Sequence, residues 1–299
     1  MIYTITLNPS IDHYIFMQKD TVPESTNRAE RSVNLCGGKG INVSIVCKSL
    51  GVRTVCTGFY GGFTGEELIR QINRLGINSK FVKVDAETRI NTKIVCRGKV
   101  TEINAKGQKI KEAEANKLLD VLSTMSDADT AVLSGSVPDA PGLLTSVLEH
   151  IKKTGARLIA DTSGKALAEC IKYRPYLIKP NREELAAYFG VDPIGVDVPV
   201  YANKLVGLGA ENVIVSDGDR GAYFADKSGC RFLPVVFAGF KARNTTGAGD
   251  SMIAGYLYGE KNGLDPFLCA VGAGSASAYS EGLFDKNIFD TVIKSYKKV

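Results

Sequence analysis

Short apolar runs without alternation, each followed by a stretch of helical periodicity, recur through the middle and C-terminal parts of this chain. They restrict its fold more than any other feature. The strand-like runs lie at 54–59, 131–134, 157–160, 176–179 and 212–216, and the helical patterns between them at 65–75, 112–124, 142–153, 182–189 and 201–208. Strands that alternate with helices imply βαβ units and a parallel, doubly wound sheet. Val132-Leu133, Leu158-Ile159 and Val213-Ile214-Val215 are continuously apolar, as strands covered on both faces must be. The expected class is therefore α/β, in three α/β/α layers, and everything from Asp250 onward reads as mostly helical.

Two regions break the rhythm. From about 11 to 35 and from about 82 to 108 the chain is more polar and has no helical period. Within the second, Ile90-Asn91-Thr92-Lys93-Ile94-Val95-Cys96, a turn at Gly98, and Val100-Thr101-Glu102-Ile103 read as a hairpin. The two excursions together predict a small β-rich lid on the main sheet.

Composition excludes several classes. The chain has 299 residues, 44% hydrophobic and 23% charged, which suits a globular protein with a sizeable core. Its net charge is only +5, and apart from Lys294, Lys297 and Lys298 its basic residues are scattered, so no nucleic-acid-binding stripe exists. The seven cysteines include no Cys-x-x-Cys pair, and several sit in apolar runs such as Ile45-Val46-Cys47. They are expected to be reduced, buried and cytoplasmic. The first strand, from Ile2 to Leu7, follows no basic leader, and no stretch is long and apolar enough for a membrane span.

The chemistry concentrates in glycine-rich turns. Asn244-Thr245-Thr246-Gly247-Ala248-Gly249-Asp250-Ser251 runs into a helical pattern carried by Met252, Ile253, Tyr256 and Leu257. Backbone N–H groups at such a helix start form an anion trap. An acid at the end of the trap would repel phosphate as a ligand, but fits a general base beside a phosphoryl group in transfer. Asp250 is accordingly the candidate base, and the N–H groups of Gly247, Ala248 and Gly249 the candidate anion hole.

Other segments fall at the carboxyl ends of the strands, where α/β sheets hold ligands. Cys36-Gly37-Gly38-Lys39-Gly40-Ile41-Asn42 lets backbone approach a ligand, with Lys39 to neutralise an anion and Asn42 to bond hydroxyls. Neither it nor any other segment has Walker A spacing or a dinucleotide fingerprint. Asp12 follows the first strand. Ser134-Gly135-Ser136 and Lys179-Pro180-Asn181-Arg182-Glu183-Glu184 follow later ones. Asn181 and Glu184 would share a helix face, either holding a metal through its waters or forming a capping box. Val215-Ser216-Asp217-Gly218-Asp219-Arg220-Gly221 either cradles a nucleotide or opens a hairpin. The two histidines, His13 and His150, are too few for a triad or a His-based metal site.

These segments, in this order, resemble the ribokinase-like (PfkB) family of carbohydrate kinases over essentially the whole chain. Gly37-Gly38-Lys39-Gly40-Ile41-Asn42 is similar to the family's N-terminal signature and Thr246-Gly247-Ala248-Gly249-Asp250-Ser251 to its C-terminal one. The stretches from Thr4 to Asp12, Asn27-Arg28-Ala29-Glu30, Glu87 to Ile94 and Thr101-Glu102-Ile103-Asn104 are similar to its sugar-phosphate branch.

The resemblance implies one catalytic domain over 1–299, ATP as donor, Mg²⁺ and a phosphosugar acceptor, and the exposed edge of the expected lid offers a surface for a homodimer. It implies that Asp12, Gly38, Lys39, Asn42, Ser136 and Asp250 meet the sugar, and that Arg89, with Arg28 from the lid, meets the phosphate already present. Lys179, Asn181, Ser216, Gly218, Gly221 and Gly249 would line the ATP site, and Glu184 would hold Mg²⁺ through water. Three residues depart from the family's pattern: Asn244 for a common Asp, Asp217 for a common apolar residue, and Cys36 for a common Pro or Ala.

Overall fold

In the computed structural model, the described residues are 1–243 and 245–296. Asn244, Lys297 and Lys298, singled out above, lie outside them. The elements run in the order β1 (Ile2–Thr6), β2 (Ser10–Met17), β3 (Arg31–Gly37), α1 (Lys39–Ser49), β4 (Thr54–Tyr60), α2 (Gly62–Arg74), β5 (Asn78–Lys83), β6 (Arg89–Cys96), β7 (Lys99–Asn104) and α3 (Glu112–Leu122). Then come β8 (Thr130–Ser134), α4 (Leu143–Thr154), β9 (Arg157–Asp161), α5 (Gly164–Ile171), β10 (Leu177–Ile178), α6 (Arg182–Phe189), α7 (Val198–Gly207), β11 (Asn212–Ser216), β12 (Gly221–Asp226), β13 (Gly229–Pro234), α8 (Ala248–Lys261), α9 (Pro266–Tyr279) and α10 (Lys286–Tyr296).

The main sheet has the order β13-β12-β11-β10-β9-β8-β1-β4-β5 among the described residues. The pairs from β5 to β11 are parallel, and the β11–β12 and β12–β13 pairs are antiparallel. The chain begins in the middle of the sheet and winds outward on both sides, so it changes direction beside β1. The carboxyl end of β1 is therefore the place for a crevice.

Helices cover both faces. One core packs Leu118 and Leu122 of α3, Leu148 of α4, Leu167 of α5, Leu185 of α6 and Leu205 of α7 against Ile5, Leu133 and Val213. The opposite core packs Val43 and Val46 of α1 with Ile253 of α8, Phe267 and Ala273 of α9 and Phe289 of α10 against Val132, Ile159 and Ile214. Both-sided burial is why β8 is buried at every position and carries no polar alternation.

The lid is a separate sheet of order β3-β2-β6-β7. Its strands leave and re-enter the main body at the carboxyl ends of β1 and β5. The Arg97-Gly98 pair between β6 and β7 has φ of 48° and 76°, which a tight two-residue hairpin turn requires. Val82 and Lys83 of the second excursion belong to β5 of the main sheet instead. As an edge strand with one exposed side, β5 carries the polar alternation of a lid strand. The strand at 176–179 shortens to Leu177–Ile178 between Pro175 and Pro180, which lack ladder donors.

Helices α8 and α9 pack closely enough that a Cβ on Gly255 would lie 2.3 Å from the Cys269 carbonyl oxygen and 2.6 Å from Ala273 Cβ. Gly255→Val is therefore expected to lower stability by about 1–3 kcal/mol or more, read as a fall in the urea midpoint. A midpoint equal to the parent's would show that these helices separate without cost.

Candidate active site

A cleft of 1160 Å³ opens at the carboxyl edge of the main sheet, beneath the lid. The starts of α1 and α8 both border it, through Lys39 and through Gly247, Ala248 and Asp250. Two helix N-termini facing one cavity bias it toward anions. Gly247, the residue before α8, has φ of 81°, and a Cβ there would strike Leu283 at 2.3 Å. The positive φ is what calls for glycine here, since the far end of the Leu283 side chain could shift. Of the three N–H groups expected in the anion hole, that of Ala248 donates to the Thr245 carbonyl at 3.2 Å and closes the turn.

Asp250 stands in the first turn of α8 and is 5% exposed. Its Oδ2 accepts a hydrogen bond from Asn42 Nδ2 at 2.8 Å, which joins the two signatures across 208 residues of sequence. Burial, reinforced by the charge of Asp161, pushes the Asp250 carboxyl up to about 7, against the pull of Lys39, Asn42 and Lys179. A carboxyl in that range exchanges a proton near neutrality, as a general base must.

Asp161, at the end of β9, was absent from the sequence-based site. It is fully buried, and its Oδ1 pairs with Lys39 Nζ at 3.2 Å and Lys179 Nζ at 3.4 Å. Burial pushes its carboxyl up, but the two ammonium groups outweigh that and hold it below the usual range. In return, the Asp161 charge raises Lys39 above its ordinary value. Lys179 also lies so close to Gly249 that a Cβ there would come within 2.9 Å of its Nζ. Both lysines therefore meet one carboxylate oxygen at the junction of the two predicted binding regions.

At the lid end, Asp12 Oδ1 accepts from Ser10 Oγ at 2.8 Å and Asn91 Nδ2 at 3.2 Å, while Oδ2 pairs with Lys93 Nζ at 3.3 Å. A Cβ on Gly37 would lie 2.5 Å from Asp12 Oδ1, so only glycine leaves that carboxylate in place. Gly38 has φ of 126° and lies against Thr6, and Ser136 Oγ accepts from Asn8 Nδ2 at 3.0 Å. Lys93 is 5% exposed and was not anticipated. The period-two spacing of Arg89, Asn91 and Lys93 was the available signal, since it puts all three on one face of β6.

The two arginines expected at a substrate phosphate fare differently. Arg89 borders the cleft, but its guanidinium donates to the carbonyls of Asn8 at 3.0 Å, Ala105 at 3.1 Å and Pro9 at 3.4 Å. It ties the lid's root to the end of β1. Arg28 lies on the exposed link between β2 and β3 and does not border the cleft of its own chain.

At the other end, Asn181 and Glu184 form a capping box. Glu184 N–H donates to Asn181 Oδ1 at 2.7 Å, and Asn181 N–H donates to Glu184 Oε2 at 2.9 Å. Both still border the cleft, with Ser216, Gly218 and Gly221. Gly221 must be glycine, because a Cβ would lie 2.1 Å from the Leu233 carbonyl oxygen. Val235, Phe237, Val271 and Tyr279 make this end apolar, and none of them was foreseen. No group of three or more His, Cys, Asp and Glu able to hold a metal exists among the described residues. A metal here would need ligands from its substrate or from water.

Comparison with known proteins agrees with this geometry. Residues 5–281 match the pfkB family carbohydrate kinase. A 1-phosphofructokinase from Borreliella burgdorferi is 39% identical, covering 95% of this chain and 93% of its own. One from Bacillus subtilis is 36% identical over 99% of both chains. A D-tagatose-1-phosphate kinase from Bacillus licheniformis is 34% identical over 97% and 96%. Among solved structures, phosphofructokinase-2 from Escherichia coli in complex with substrates and products superposes with a TM-score of 0.91 at 28% identity, covering 99% of each chain.

The position of Asp250 has a consequence for stability. Its folded value near 7 lies above the ordinary 3.8, so between them the folded state binds the extra proton. The associated stability is complete in acid and is lost as pH rises through 7. Asp250→Asn removes that loss, so its advantage over the parent in urea titrations should grow between about pH 5 and about pH 8. The same advantage at both values would exclude a raised Asp250.

Proposed function

The chain belongs to the pfkB family of carbohydrate kinases, and from that membership we propose that it transfers the γ-phosphoryl group of ATP to fructose 1-phosphate, releasing fructose 1,6-bisphosphate and ADP. The carrying observation is the buried Asp250 carboxyl, raised to about 7 at the start of α8, between the lid end and the nucleotide end of one cleft. The relatives named 1-phosphofructokinase, 36–39% identical, supply the acceptor.

In this reading the sugar lies at the lid end, where Asp12, Gly38, Asn42 and Ser136 meet its hydroxyls and Arg89 its phosphate. Asp250 takes the proton of the C6 hydroxyl as the oxygen bonds to the γ-phosphorus and the bond to the β-phosphate oxygen breaks in line. Lys39, Lys179 and the N–H groups of Gly247 and Gly249 balance the charge on the phosphoryl oxygens. Fixing base, cations and both substrates in one cleft supplies the positioning on which such transfers depend. Arg89 would meet the phosphate with donors now shared with carbonyls, a regrouping that closure of the lid would bring.

The nucleotide follows the opposite end, along Lys179, Asn181, Ser216, Gly218 and Gly221 to the apolar Val235–Tyr279 region. The donor set suits Mg²⁺, a cation of oxygen ligands that keeps several waters. Glu184 borders the cleft, and the buried Asp161 Oδ2 has no hydrogen-bond partner. Glu184 would hold the ion through water, and when bound the ion neutralises phosphate charge.

We take residues 1–299 as one catalytic unit, in the cytoplasm, paired through the lid with a second copy. Val33, Leu35 and Val100 support the pairing, being exposed apolar residues on the lid face that carries Asp12 and Lys93. No helix among the described residues is long and apolar enough to cross a membrane. A tagatose phosphate is the second acceptor to consider, because a D-tagatose-1-phosphate kinase is 34% identical. Tagatose 6-phosphate presents the existing phosphate at the other end of the sugar.

An ADP-release assay against fructose 1-phosphate, fructose 6-phosphate, tagatose 1-phosphate and tagatose 6-phosphate tests the reading. A kcat/KM highest for fructose 1-phosphate by about tenfold, or 1.4 kcal/mol, supports it. A tagatose phosphate in that position transfers the assignment, and turnover of none defeats it. Asp250→Ala should lower kcat by about 10²-fold or more. The parent's kcat should fall as pH drops below about 7, whereas a limb near 6 would report the substrate's own phosphate. Arg89→Ala should raise KM for the phosphosugar more than for ATP, and an equal rise in both would remove Arg89 from the phosphate.

A further inference from the structure

Asp217 puts an acid where the nucleotide reading expects phosphates, and its surroundings reverse the sign of that charge. Its side chain is 2% exposed. Arg182 grips it with two bonds, Nε to Oδ1 at 2.6 Å and Nη2 to Oδ2 at 2.8 Å. Arg220 adds a third, from Nη2 to Oδ1 at 2.6 Å. Two guanidinium groups around one carboxylate give these three side chains a net charge of +1, with Asp219 of the same turn also at the cleft. All three residues border the cleft.

The two arginines are not equivalent. Arg182 is 14% exposed, and its Nη1 donates to the Val196 carbonyl at 3.1 Å, so its donors are turned inward. Arg220 is 60% exposed, and its one described side-chain bond leaves most of its five donors open to the cleft. Its backbone is pinned, because Arg220 N–H donates to the Asp217 carbonyl and its own carbonyl accepts from Val235 N–H. Gly218, at φ of 59°, makes the turn between them. A guanidinium fixed at both backbone and head is pre-organised, which lowers the entropy lost on binding an anion.

Strand order decides which part of the nucleotide would meet it. Across the carboxyl edge, Lys179 and Asn181 follow β10, the Asp217–Arg220 turn follows β11, and Val235 and Phe237 follow β13. The turn therefore lies between the cationic segment and the apolar segment. A donor with its reacting phosphate beside Lys179 and its base among Val235, Phe237 and Tyr279 passes its inner phosphates over Arg220.

We propose that Arg220, held by Asp217 and Arg182, binds the inner phosphates of the nucleotide donor. The inference rests on the kinase reading of this cleft. It also accounts for an acid at 217. A buried ion pair is a poor source of stability, but here it orients a cation that a neutral apolar neighbour would leave free to swing.

The test is titration calorimetry of the parent and of Arg220→Gln with ADP and with adenosine, neither of which needs turnover. Arg220→Gln should weaken ADP by about tenfold, in the range of one charge-assisted hydrogen bond, and leave adenosine within twofold. Arg220→Lys should recover part of the loss. In steady state, KM for ATP should rise with little change in KM for fructose 1-phosphate. Equal ADP affinity in parent and variant, or equal losses for ADP and adenosine, would overturn the role of Arg220 while leaving the kinase reading intact. A parent that binds no ADP and transfers no phosphoryl group would overturn both.

Discussion

One buried carboxylate, Asp161, holds the centre of this molecule together. It is fully buried at the end of β9, a position that would be very unfavourable for an isolated charge. Lys39 reaches it from the start of α1 and Lys179 from beyond β10. The pairing makes each charge tolerable in that environment. It also anchors the first signature segment and the nucleotide-side segment to one oxygen atom. Removing the carboxylate would leave two ammonium groups facing each other, and those cations would separate.

The same carboxylate shapes its neighbour. Asp161 lies close enough to Asp250 to help raise the second carboxyl, while the lysines restrain the rise. The result is two acids in one cleft with opposite tendencies, one locked as an anion by direct pairing and one able to take a proton near neutrality. Divergent environments for paired titratable groups are how one fold divides structural and proton-transfer roles. The division needs no change in residue type, only a different set of contacts.

The lid illustrates a related division of labour. Asp12 of β2 bonds both Asn91 and Lys93 of β6 at its cleft face, while the buried Asn91 Oδ1 has no partner. Arg89 bonds the carbonyls at its root. Most of these polar groups are thus occupied with holding the lid's shape. An entering phosphosugar would have to compete for them, which favours a strongly charged ligand over a neutral sugar.

Much of this was legible in the chain because it depends on local sequence. Strand and helix periods and glycines at helix starts act over a few residues, and they yielded the doubly wound sheet, the lid hairpin and the positions of Asp12, Lys39, Asn42, Lys179 and Asp250. Only the tertiary structure decided the pairings. Asp161 ends an ordinary apolar run, and nothing near it marks a charge that meets Lys39 from 122 residues away. Asp217 read alone is a repulsive acid, and becomes part of a cationic cluster because Arg182 reaches it from another strand end. Arg89, expected at a phosphate, borders the cleft and also bonds backbone carbonyls at the lid's root. A side chain's charge is written in the sequence, but its partner depends on which strands become neighbours. At close range in a low dielectric, that partner sets whether the group binds, titrates or holds the fold.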